Sequence, residues 1–396
     1  MATAWPLSPY RPGNGIDPPY LGDREEQIEA VRGYLKDPKN PRNVLITGLR
    51  GVGKTVLLNH LQAEAEAASW LVVDREFSET DVEPLAFANA VLTDVNRALR
   101  RLSLSARLRD RGGALLQAAV DVVGALTVSY GEFRVSVDTK RKRAEIQRRL
   151  DDDLKEALTH ICELCRKSEY KGLVLRYDEF HVIRERPGMP TLSALLSATS
   201  AVQQHGLPLM LMLCGLPPLV DNLSRSKSYS ERMFSTILLG NLRTPEDRAA
   251  LVDPAVRLGR RFADEVVDEV MADTGGYPFF IQVYGDALWT GAHGEAIAAA
   301  DLRRLRPRIL ATLDAGFFRA RYVRASPNER KLMRDIAKFG ETATIEQLHQ
   351  ASGKRNNELQ PTISALLQKG LVYRPERARI GFTAPMFGAF LLRTPD

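Results

Sequence analysis

Residues 48 to 55 read Gly48-Leu49-Arg50-Gly51-Val52-Gly53-Lys54-Thr55. Their spacing fits the phosphate-binding loop pattern GxxxxGK[ST] at every fixed position. The glycines let the backbone wrap a phosphate with its N–H groups. Lys54 has the reach to set its charge against β- and γ-phosphates, and the Thr55 hydroxyl suits a Mg²⁺ ligand. The flanks supply the context the motif requires. Asn43-Val44-Leu45-Ile46-Thr47 reads as a short apolar strand, and Val56-Leu57-Leu58-Asn59-His60-Leu61 opens a helix.

Outward from this loop, further apolar strands punctuate the chain. They fall at Trp70–Asp74, Leu173–Glu179, Leu207–Gly215 and Ser235–Leu239, with helical patterns between them. Near-continuous apolar strands separated by helices predict an α/β fold with a parallel sheet covered on both faces. Residues 85 to 102 carry Leu85, Ala88, Leu92, Val95, Leu99 and Leu102 at helical spacing, with Arg97, Arg100 and Arg101 on the far side. Residues 127 to 137 alternate around Gly131 and predict a hairpin inserted off the main sheet. A long helix follows, with Ile146, Leu150, Leu154, Leu158, Ile161 and Cys165 on one stripe.

Phosphoryl transfer needs a metal ion and a positioned water. Asp178 ends an apolar strand, the edge at which open α/β sheets bind ligands, and suits the carboxylate that holds Mg²⁺. Glu179, one residue on, suits the group that orients or deprotonates the attacking water. Arg176 breaks the apolar run and is expected to face a neighbouring subunit or the insertion.

The chain has 396 residues, enough for two or three domains. A net charge of +6 is a mild basic excess, compatible with a nucleic-acid partner. No apolar run approaches the roughly 18 residues that span a bilayer. The N-terminus lacks the basic-then-apolar pattern of a secretory leader. Three cysteines fit a reducing cytoplasm. Cys162-x-x-Cys165 has no second pair and fits a buried helix stripe better than a zinc site. The run Lys140-Arg141-Lys142-Arg143 reads as a solvated helix start.

The last stretch has its own rhythm. Ser326 caps a helix with Leu332, Met333, Ile336 and Phe339 on one side, a second helix opens near Thr344, and a third runs from about Glu358 to Gly370. Strands at Leu371–Tyr373 and Ile380–Thr383 complete a winged-helix pattern. From residue 323 onward there are 12 Lys/Arg against 7 Asp/Glu. Lys354, Arg355, Asn356 and Asn357 precede the third helix, and Arg377 and Arg379 sit at the strand turn. These are candidates for DNA contact, with protein docking an equal alternative.

Taken in order, the phosphate loop, the Asp-Glu strand, a helical stretch and the terminal winged helix resemble the AAA-type ATPases of the origin-recognition and archaeal ATPase group, close to the STAND signalling ATPases. The resemblance implies ATP and Mg²⁺ as cofactors. It implies a P-loop core over 42–243 with an insertion at about 80–145, a helical lid over 244–322 and a winged helix over 323–396, after an extended segment and first helix over 1–41. It assigns Gly48, Arg50, Gly51, Val52, Gly53, Lys54, Thr55 and Val56 to the nucleotide. Leu21, Asp23 and Arg24 match the segment that brackets the adenine. Gly275-Gly276-Tyr277-Pro278 resembles the motif whose proline, here Pro278, couples the lid to the nucleotide. The arginine that such lids usually present at this point is missing, and Cys214 stands where a polar sensor residue is usual. Arg232, just before the fifth strand, matches the arginine finger of related ATPases. Asp23 also suits an N-cap. The function this implies is ATP hydrolysis coupled to self-association and to DNA or a partner protein. The alternatives are a slow signalling switch that recruits a separate effector, and a DNA-binding regulator with a structural ATP site.

Overall fold

The structure, a computed structural model, describes residues 5–13, 15–104, 116–121, 123–124, 140–185 and 191–394. The hairpin expected at 127–137 lies outside the described residues, as do the side chains of the basic run at 140–143. The chain forms two compact units, one of Glu25–Gly48 and Leu57–Leu238, the other of Met1–Arg24, Leu49–Val56 and Leu239–Asp396.

The first unit is built on a sheet of β1 (Asn43–Gly48), β2 (Leu71–Glu76), β3 (Leu173–Asp178), β4 (Leu209–Gly215) and β5 (Phe234–Leu239), in the order β2-β3-β4-β1-β5. The pairs β2/β3, β3/β4 and β4/β1 are parallel, with Val73 opposite Leu175, Leu175 opposite Leu211 and Val44 opposite Met212. Every residue of β1, β3 and β4 is buried. That is why these strands read as unbroken apolar runs: helices cover both faces of a parallel sheet.

Helices Pro84–Ser103 and Lys140–Lys167 pack on each other over one face. Their contact is made by the stripes the spacing predicted, among them Leu92, Val95, Leu99, Leu154, Leu158 and Ile161, all buried. Cys162 and Cys165 lie in this core, and burial pushes both thiols up. They are packing groups, and the described residues hold no cluster of potential metal ligands.

Arg97 and Arg101, on the far side of helix Pro84–Ser103, are tied to the sheet. They donate to the carbonyls of Asp74 (2.8 Å) and Val72 (2.6 Å), covering acceptors along β2 at the sheet margin. Arg176 is buried and donates to Asn59 Oδ1 within the first unit, while its Nε is buried without a hydrogen-bond partner among the described residues.

In the second unit, four helices (Glu246–Val256, Asp264–Thr274, Pro278–Gly291 and Ala299–Leu313) fit the expected lid, with a two-stranded parallel ribbon of β6 (Arg261–Phe262) and β7 (Ala296–Ile297). The proline- and glycine-rich N-terminal segment forms no helix or strand among its described residues and is anchored on these helices. The Tyr10 hydroxyl donates to the Leu251 carbonyl, Trp289 Nε1 donates to the Pro6 carbonyl at 3.0 Å, and Arg260 is held between the rings of Trp5 and Trp289.

The C-terminal module runs helix Pro327–Ala337, β8 (Thr342–Thr344), helices Ile345–Ser352 and Asn356–Gln368, β9 (Val372–Glu376), β10 (Arg379–Phe382) and helix Phe387–Arg393. The strands pair antiparallel in the order β8-β10-β9. Ser326 caps the first helix in a reciprocal box with Glu329. The element order and the small antiparallel sheet fit a winged helix.

Candidate functional site

The phosphate loop leaves β1 at Gly48 and ends where helix Lys54–Ala67 begins. Gly51 and Gly53 both have positive φ, +80° and +90°. At Gly51 the side-chain-free backbone is needed twice over. Its conformation is left-handed, and a Cβ there would overlap the Tyr277 hydroxyl. That hydroxyl donates to the Arg50 carbonyl. Lys54 is buried and its Nζ donates to the Leu49 carbonyl at 2.8 Å, so the ammonium folds back over the loop. Gly15 of the N-terminal segment lies against Thr55: a Cβ there would sit 3.1 Å from the Thr55 methyl. Val52 is buried and Val56 is half-buried. The positive-φ glycines and the cationic side chains around the loop suit a polyphosphate, because backbone N–H groups and fixed positive charge are what such a ligand requires.

The lid meets the loop through Tyr277, which is buried and whose phenol is pushed up to about 12 by that burial. Gly276 explains how the turn is made. Its φ is +71°, a Cβ would overlap the Leu242 carbonyl, and its own carbonyl accepts from Leu242 N at 2.9 Å. Pro278 takes the first position of helix Pro278–Gly291, where a missing N–H costs nothing. Of the expected adenine-bracketing residues, Leu21 is half-buried and Arg24 is buried. Arg24 donates to the carbonyls of Asp23 (2.8 Å) and Gly240 (3.3 Å). Asp23 has φ +57° and the helix starts at Glu25, so Asp23 stands two residues before the helix and is not its N-cap.

The carboxylates lie at the end of β3 in the other unit. Asp178 is buried, and its Oδ1 accepts the Glu179 N–H at 2.7 Å. Glu179 has φ +50° and ψ +25°, a left-handed conformation unusual for a glutamate. The cause is the chain reversal: Phe180 turns back to stack on Tyr177 (5.6 Å between ring centres), and Phe77 meets both edge-on at 5.0 and 5.1 Å. This aromatic clamp holds the Asp178–Glu179 pair on a short turn. Glu179 Oε2 lies 3.7 Å from His181 Nε2. Cys214 is buried in β4 opposite Ile46. Arg232 is exposed and lines an open hollow of about 1140 Å³ with Lys39, Arg42 and Tyr229.

In the C-terminal module, Lys354 and Arg355 directly precede helix Asn356–Gln368, and the Arg355 N–H bonds Glu358 at 2.8 Å. Asn357 is exposed in its first turn, and Arg377 is exposed between β9 and β10. Arg379 is held by Thr342 Oγ1 (3.3 Å) and Glu376 (3.8 Å). Sequence reasoning missed the role of Tyr277, the approach of Gly15 to Thr55, and the nearness of His181 to Glu179. The only signal for the last was the two-residue spacing in Glu179-Phe180-His181.

Comparison with known proteins bears on these features. The family described as AAA ATPase domain matches residues 22–212, and one described as Domain of unknown function (DUF8462) matches 315–391. Over 85 residues the chain is 34% identical to the ATP-dependent zinc metalloprotease FtsH 2 of Sphaerobacter thermophilus, which is 18% of this chain and 13% of that protein's length. The structure is similar to the Walker-type ATPase PABY2304 of Pyrococcus abyssi, at TM-score 0.57 and 16% identity over 94% of this chain and 96% of that one. It also matches the Aeropyrum pernix ORC1 protein solved in complex with DNA, at TM-score 0.44 and 17% identity over 96% and 94%. The first family match takes in both the phosphate loop and the strand ending in Asp178 and Glu179, so residues 22–212 of this chain match an AAA ATPase domain.

Proposed function

We propose that this ATPase is a nucleotide-dependent switch: it binds ATP with Mg²⁺, self-associates, and engages DNA or a partner protein according to the state of its nucleotide. The observation that carries the reading is the grouping of the phosphate loop, Leu49–Val56, in one compact unit with the lid and the C-terminal module. A lid residue, Tyr277, is bonded to the loop itself. A change at the loop is then felt directly by the lid, which is what a switch requires. In this reading Lys54 neutralises phosphate charge, Thr55 and Asp178 are the Mg²⁺ ligands, Glu179 positions the water, and Arg232 serves a neighbouring copy as arginine finger. When bound, the metal supplies charge neutralisation at the phosphates. Leu21, Asp23, Arg24 and Pro278 shape the base side. The exposed Arg377 and the segment 354–357 are the proposed contacts to DNA. Three free, buried cysteines support a reducing, cytoplasmic setting. Among the described residues no helix is long and apolar enough to cross a membrane.

The left-handed Glu179 supports hydrolysis, since strained residues persist where they serve a site. Cys214 supports a second reading, a slow STAND-like switch that recruits a separate effector, because a thiol is a weak substitute for a polar sensor. Two variants test the site. Lys54→Ala should abolish ATP binding in titration calorimetry. Glu179→Gln should bind ATP and lose about 10²- to 10⁴-fold in phosphate release. Unchanged binding or unchanged turnover, respectively, removes that residue from the mechanism. Phosphate release measured with and without duplex DNA, and particle size measured with ATP, ADP and neither, separate the two readings. Stimulation by DNA supports the first. A slow, DNA-independent rate with ATP-dependent size supports the second.

A further inference from the structure

In the first unit, His181 sits between Glu179 and the end of β4. The turn that carries both side chains is short and closed. Val182 N donates to the Glu179 carbonyl and Ile183 N to the Phe180 carbonyl, each at 3.1 Å. Asn222 Nδ2, from helix Pro218–Ser226, reaches the His181 and Ile183 carbonyls at 3.4 Å. Phe180, between the two residues in sequence, is fully buried in the aromatic clamp, so the backbone at 179 and 181 is anchored from within. Gly215 closes the other side. A Cβ there would sit 3.0 Å from His181 N and 3.1 Å from His181 Cβ, so the glycine at the end of β4 leaves room for the turn to come this near.

Within that frame the two side chains differ. Glu179 Oε2 lies 3.7 Å from His181 Nε2, and the His181 side chain is 11% exposed against 31% for Glu179. The imidazole is therefore the fixed member and the carboxylate the movable one. At 3.7 Å the pair is in ion-pair range rather than hydrogen-bonded, a spacing common among catalytic groups before substrate binds. A small rotation of the carboxylate brings Oε2 onto an Nε2–H. One oxygen is then held, and Oε1 is left for a water. A glutamate side chain has several rotamers to lose, and a partner that fixes it beforehand removes that cost from the reaction.

We propose that His181 is a positioning residue for hydrolysis: it holds Glu179 Oε2 so that Oε1 faces the attacking water. The inference rests on the reading of Glu179 given above and deepens it. His181 touches neither nucleotide nor water in this account and acts through Glu179 alone. In the step it serves, the water oxygen bonds the γ-phosphorus and one water proton passes to Oε1. The bond from that phosphorus to the bridging oxygen breaks, and ADP leaves with its electron pair.

The test measures phosphate release and ATP affinity on the full chain with Mg²⁺. His181→Phe keeps a flat ring and removes the donor. It should lower kcat about 10- to 100-fold, the scale of a misplaced catalytic group, with ATP affinity within about twofold of the parent. His181→Ala, which adds no bulk against Gly215, should show the same loss. His181→Gln carries an N–H at a similar reach and should recover most of the rate. In a Glu179→Gln background, His181→Phe should change the residual single-turnover rate less than about twofold, because a residue that acts through Glu179 then has nothing to position. If Glu179→Gln is slow while His181→Phe and His181→Ala keep the parent's kcat, the inference alone is overturned. An undiminished effect of His181→Phe in the Glu179→Gln background overturns it too, as does a His181→Gln protein that melts like the parent and stays slow. If Glu179→Gln itself turns over like the parent, the reading of Glu179 falls and this inference with it.

Discussion

The Tyr277 hydroxyl donates to the Arg50 carbonyl, and it does so over Gly51, the one loop position where any side chain would collide with it. Loop and lid are thus fitted to each other at a single aromatic residue. Tyr277→Phe should cost about 1 kcal/mol, the net worth of one hydrogen bond. Gly51→Ala should cost about 2–3 kcal/mol, because the left-handed backbone penalty of ~1–2 kcal/mol adds to the overlap. In the double variant the loss of the hydroxyl removes the closest part of the overlap, although the ring carbon 2.7 Å from the new methyl group must still shift. Urea denaturation should therefore show a combined loss smaller than the sum of the two, and strict additivity would argue that the contact is not made.

Asp94 is fully buried and receives two hydrogen bonds from Arg75, each 2.7 Å, with Arg97 at 3.6 Å. Burial raises the Asp94 carboxyl and the arginines oppose that. Removing one partner strands the other, so Asp94→Ala should destabilise by about 3–5 kcal/mol. Replacing both, as Asp94→Leu with Arg75→Met, should cost much less. Thermal melts of the three proteins decide it, and equal losses for the single and double changes would contradict the pairing.

Glu341 gives the C-terminal module a pH dependence. Its Oε1 accepts the Gly388 N–H at 3.2 Å, while Oε2 is buried without a hydrogen-bond partner among the described residues. Burial pushes this acid up to about 7 from an ordinary 4.5, against the lowering effect of the Gly388 and Met386 N–H groups. Between these values the folded state keeps a proton that the unfolded chain releases. Stability is therefore greatest below pH ~4.5 on this account and falls as pH rises through ~7, by roughly 1–3 kcal/mol. Glu341→Gln should remove that slope and be the more stable protein at pH 8. Parallel melting curves for the two proteins across pH 5–8 would exclude the effect.

Much of this was legible in the chain. The spacing from Gly48 to Thr55, the unbroken apolar strands and the Asp178–Glu179 pair follow from local rules: backbone N–H groups must meet phosphate, and strands covered on both faces must be apolar throughout. The stripe through Leu154, Leu158 and Ile161 reports a helix period that any core-facing helix must keep. Arg176 and Arg97 were harder. A charged side chain in a sequence says that it needs a partner, but Asn59 lies 117 residues from Arg176 along the chain and the Asp74 carbonyl is 23 from Arg97.

Sequence alone determined the phosphate-loop pattern and the α/β class, because both rest on residue type and short-range spacing. Only the tertiary structure decided that Tyr277 caps Arg50, with 227 residues between the two. Such meetings depend on which buried faces the chain can close on one another, and no local preference encodes that.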